Sequence, residues 1–122
     1  CARGSVAGGR RAAISRAVEY ALGRGRRVLI VDQPLVVEPG HRRRHESQQV
    51  ALAAMIKSRF SGQAHVAYAD LSSAVDLVDT NLSFDQMHLG LDGNRIIATE
   101  LVEPLRALAS GLEMAPAGAS GR

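Results

Sequence analysis

From Ala12 onward apolar side chains recur at Ile14, Val18, Ala21 and Leu22, and this spacing predicts a helix that Gly23 and Gly25 stop. The ten residues before it, CARGSVAGGR, are small, Gly-rich and without period. RVLIV at 27–31 is an unbroken branched apolar run, the pattern of a central parallel strand buried on both faces. DQPLVVEPGHRRR follows, and its prolines and glycine predict an ordered loop leaving the strand's C-terminal end. From about Arg44 to Phe60 the helical period returns, with Leu52, Met55, Ile56 and Phe60 as the core stripe and Gly62 as the stop. AHVAYAD at 64–70 reads as a second strand, parallel to the first because a helical crossover separates them. Residues 71–83 allow a short helical turn around Val75 to Leu77. A final helix is expected from near Asp92, carrying Ile96, Ile97, Leu101, Leu105 and Leu108 inward and bent by Pro104.

Helix, strand, helix, strand, loop, helix is the repeating order of an open α/β sheet. A parallel pair alone leaves an unpaired edge, so neighbouring strands are expected from sequence upstream of Cys1. The last residues, MAPAGASGR, are small and polar, and 113–122 is expected to be a disordered tail.

Composition narrows the class. No apolar run approaches the roughly 18–20 residues of a membrane span, so none is expected. The net charge is +3, with fourteen arginines and one lysine. Phe60, Phe84, Tyr20 and Tyr68 are the only aromatics, too few for a base-stacking platform, and no nucleic-acid partner is expected. Cys1 is the only cysteine, which excludes an intramolecular disulfide. No signal peptide is visible, and the native N-terminus is expected to lie beyond Cys1, which leaves localisation unread.

The chemistry concentrates at FDQMHLGLDGNRIIATEL, residues 84–101. A catalytic histidine needs one ring nitrogen held by an acceptor so that the other can take a proton from a nucleophile. Asp85, three residues before His88 on a tight loop, is placed to do this. Gly90 and Gly93 are expected to let the backbone turn sharply, and Asp92 or Asn94 to cap the following helix. The pair follows a sheet strand, where open α/β folds place ligands.

With these residues in view, VLIVDQP, a helix ending IKSRFSG, then HVAYADLSSAVDL and LSFDQMHLGLDGNRIIATEL together resemble the C-terminal half of an SGNH (GDSL-type) hydrolase, from about Ala12 to Leu108. The resemblance implies a three-layer α/β/α flavodoxin-like sandwich with a parallel sheet. Residues 1–112 would be the C-terminal part of one such domain. It implies ester hydrolysis by a Ser-His-Asp triad, with Asp85 orienting His88 as general base, no metal and no organic cofactor. The implied substrate is a small-molecule, carbohydrate or lipid ester. Gly90 departs from the small polar residue often found there. The family's Gly-Asp-Ser block and oxyanion donors are missing, and the first asparagine is Asn81. The chain alone is therefore expected to be inactive. Ser5, between glycines, has no strand before it and is a poor nucleophile candidate.

Other clusters read more plainly. HRRRH at 41–45 is a solvated helix start, or a holder of an anionic or sugar group at the mouth of a site. A different class of function follows from the second option, a non-catalytic α/β module binding an anionic partner through Arg42, Arg43 and Arg44. His41, His45 and His65 lack partner ligands at metal spacing. Asp70, Asp76 and Asp79 read as turn and cap residues.

Overall fold

The computed structural model describes residues 6–36 and 38–120, so Cys1 and Ser5 lie outside it. The elements are α1 (Val6–Gly23), β1 (Val28–Asp32), α2 (Arg42–Arg59), β2 (Val66–Asp70) and α3 (Leu91–Ser120), with a 3-10 turn at Pro39–His41. β1 and β2 form a two-stranded parallel sheet, Val28 opposite Val66 through Asp32 opposite Asp70. The chain is thus a mixed α/β fold with three helices.

Strand alternation divides the packing. Val28, Ile30, Val66 and Tyr68 pack with Val18, Ile56 and Phe60, which joins one sheet face to α1 and α2. Removing an Ile or Phe side chain of this kind from water stabilises by about 1.5–3 kcal/mol. The alternate positions, including buried Ala69, face the other way, and α3 packs against β2 and β1. An Arg27 guanidinium donates to the Leu108 carbonyl and ties the entry of β1 to α3.

Several expectations are corrected. α1 begins at Val6, not Ala12, because Arg10, Arg11, Ala12 and Ala13 are strong helix formers and carry the helix back through Gly8 and Gly9. α2 begins at Arg42, directly after the 3-10 turn. Gly25 and Gly62, at φ 69° and 75°, supply the left-handed residue after α1 and α2. β1 is only half-buried, with Val31 39% exposed, since β2 is its sole neighbour among the described residues. Residues 71–82 form turns without a helix, yet Leu71, Val75 and Leu77 are buried beneath them. In α3 the inward positions are Ile96, Ile97, Leu101, Pro104 and Leu108, while Leu105 stands 51% exposed. Pro104 occupies the core stripe, and Leu105 sits about 100° further round the helix. α3 runs on to Ser120, across most of the expected tail and through Pro116 and Gly118.

Candidate functional site

Both strands point their carboxyl ends toward one edge, and the loop after β2 leads from there to α3. Three consecutive carboxylates shape that loop. Asp70 accepts from the amide and hydroxyl of Ser72, Asp76 from the Val78 amide, and Asp79 from the Asn81 amide and side chain. Each is a local turn, as their sequence positions suggested.

The loop closes at Ser83 and Leu89, which form an antiparallel bridge, with the Phe84 amide donating to the His88 carbonyl at 3.0 Å. Between these two residues lies the Asp85–His88 pair. His88 Nδ1 stands 2.7 Å from Asp85 Oδ2. The other carboxylate oxygen, Oδ1, accepts the amides of Met87 at 3.1 Å and His88 at 2.7 Å. Both oxygens are therefore satisfied within four residues. The His88 imidazole holds the Asp85 carboxyl down at about 2, with the His88 and Met87 amides adding to the effect. A ring that directs an Nδ1 proton at Asp85 leaves Nε2 as its proton-accepting nitrogen. The side chains of His88 and Asp85 are 71% and 54% exposed, so a second reactant reaches them unhindered.

The expected sharp turn is present, but at a different residue. Gln86, at φ 61°, is the left-handed position, and neither Gly90 nor Gly93 has a positive φ. A non-glycine residue takes this conformation at some cost, offset here by the two amides that Asp85 receives. Gly93 serves close approach instead: a β-carbon there would collide with the Leu82 carbonyl and press on Leu89 Cδ2 at 3.2 Å. Neither Asp92 nor Asn94 is a cap, because α3 begins at Leu91. Asp92 bonds Arg95 at 2.9 Å, and the Asn94 side chain donates to the Leu89 carbonyl at 3.4 Å.

One positioning residue was not singled out from sequence. Ser83, 2% exposed, donates its hydroxyl to the His88 carbonyl at 3.0 Å. Its only sequence signal is a small polar residue between Leu82 and Phe84.

Successive side chains on a helix diverge by about 100°, and the HRRRH arginines are spread accordingly. Arg44 lines a cavity between α1 and α2, while Arg43 lines a shallower one along α2. Arg42 lines neither of these. Among the described residues no three of His, Cys, Asp and Glu come together as metal ligands, and no helix is long and apolar enough to cross a membrane. Comparison with known protein families, curated proteins and solved structures found no match.

Proposed function

We propose that the Asp85–His88 pair is the base end of a Ser-His-Asp esterase of the SGNH type, whose nucleophile and oxyanion donors come from outside these 122 residues. The observation that carries the reading is the 2.7 Å Nδ1–Oδ2 bond, with Asp85 Oδ1 locked by two amides. A triad asks for this: an acceptor that fixes the tautomer and ring plane, and a free Nε2 facing an accessible space. The parallel β1–β2 sheet is compatible with a portion of a flavodoxin-like α/β/α sandwich.

In the proposed reaction a serine hydroxyl gives its proton to His88 Nε2 as it attacks the ester carbonyl. Asp85 steadies the resulting imidazolium. The proton then passes to the leaving alcohol; a water deprotonated by His88 next attacks the acyl-enzyme, and the proton returns to the serine oxygen as the acid leaves. The alternative, an anion-binding module through Arg42–Arg44, receives less support because helix geometry spreads those side chains over different surfaces.

The test uses a protein in which this chain is joined to the segment bearing the nucleophile. A fluorophosphonate probe is expected to label a serine there, and His88→Ala is expected to lower ester turnover by on the order of 10⁴-fold or more. The 122-residue chain alone is expected to stay unlabelled. Labelling of a serine within it, or full turnover by His88→Ala, overturns the proposal.

A further inference from the structure

α1 and α2 are joined at one end and open at the other. Val18, Ile56 and Phe60 pack them together, and Arg59 clasps Glu19 at 2.6 Å. Toward their N-termini the helices leave a cavity of about 530 Å³ beside Asp32, the last residue of β1. This volume lies within the range of small-molecule sites.

The walls are largely apolar but carry an uneven set of charges. Arg10 and Arg11 come from α1, and Arg44, His45, Gln48 and Gln49 from α2, with Leu52 and Ala51 as apolar ground. Three arginines and one carboxylate thus share the lining. None of the three has an ion-pair partner among the described residues, whereas Arg59, Arg95 and Arg106 each hold a carboxylate. Asp32 has one oxygen engaged by the Tyr68 hydroxyl at 2.7 Å. The amide nitrogen of Gln49 is buried without a hydrogen-bond partner, an unmet donor in the same wall.

We infer that this cavity binds a hydroxylated organic oxyanion, with Arg10, Arg11 and Arg44 holding its charged group and Asp32 and Gln49 bonding its hydroxyls. Guanidinium groups match the oxygens of a carboxylate or a phosphate by paired hydrogen bonds. The other Asp32 oxygen, without a hydrogen-bond donor among the described residues, repels an anion but accepts from a hydroxyl, which favours a ligand carrying both. Sugar phosphates and uronates share that chemistry. Neither Asp85 nor His88 lines the cavity, so the inference stands apart from the esterase reading.

Isothermal titration of the chain at low salt tests it with glucose 6-phosphate, glucuronate, glucose and inorganic phosphate. At least one of the first two is expected to bind saturably, about tenfold or more tighter than glucose or phosphate. The arm that binds separates the phosphate from the carboxylate source. Arg44→Gln and Arg10→Gln are each expected to weaken that binding about tenfold, with circular dichroism confirming that both variants are folded. Arg106→Gln, outside the cavity, is expected to leave it unchanged. Absence of saturable binding by both sugar acids overturns the inference. So does equal binding of inorganic phosphate, or undiminished binding by folded Arg44→Gln and Arg10→Gln.

Discussion

The Ser83 hydroxyl reaches the His88 carbonyl at 3.0 Å and does so from a position only 2% exposed. The loop that carries the imidazole is thereby fastened to the buried side of the fold. Ser83→Ala is expected to cost about 1 kcal/mol in urea denaturation, the worth of one buried hydrogen bond. It is also expected to broaden or shift the His88 ring resonances in NMR spectra. Unchanged stability and unchanged resonances would show that the Phe84 and His88 main-chain bond holds the loop alone.

Gly93 presents the opposite constraint, a place where nothing can be added. Gly93→Ala is expected to destabilise by about 1–3 kcal/mol, because the Leu82 carbonyl is main chain and cannot swing aside. Gly90→Ala meets Leu82 O at 3.5 Å, an ordinary contact, and is expected to cost less. Chemical denaturation of the two variants side by side checks the order.

The Asp85 carboxyl is lowered to about 2 from 3.8, through the His88 ring first and the two amides after it. A group lowered on folding lends stability that is complete above 3.8 and is lost as pH falls through about 2. The Asp85 side-chain carbon is accordingly expected to titrate near the lower value by NMR, and His88→Ala to bring the midpoint back toward 3.8. A midpoint unchanged by His88→Ala would transfer the effect to the amides.

Leu105 and Leu108 test the assigned face of α3. Leu108 is 7% exposed and Leu105 51% exposed. Leu108→Ala is expected to cost about 2–5 kcal/mol and Leu105→Ala within about 0.5 kcal/mol of nothing. Reversal of that order in thermal or urea unfolding would mean that the helix is rotated from its described setting.

The strands and the order of elements were legible because branched apolar runs and helical periods are local signals, and VLIVD and VAYAD carry them without interruption. The Asp85–His88 pairing was legible for the same reason, since three residues of separation on a tight loop leave few geometries. What the sequence hid depends on neighbours distant along the chain or on a conformation against type. Gln86 gives no composition cue for its positive φ. Leu105 looked like core until Pro104 took the inward place. The Arg10, Arg11 and Arg44 cavity exists only once two helices meet, which no local pattern reports.

Asp85 is satisfied entirely by Met87 and His88, so the acid and imidazole form a self-contained cartridge within four consecutive residues. Such a cartridge keeps its internal shape wherever its loop is placed. Its aim is a separate property, governed by the Ser83 tether and the tight seat of Gly93 under Leu82. Substitutions at those two sites would accordingly reorient the imidazole while leaving it chemically whole.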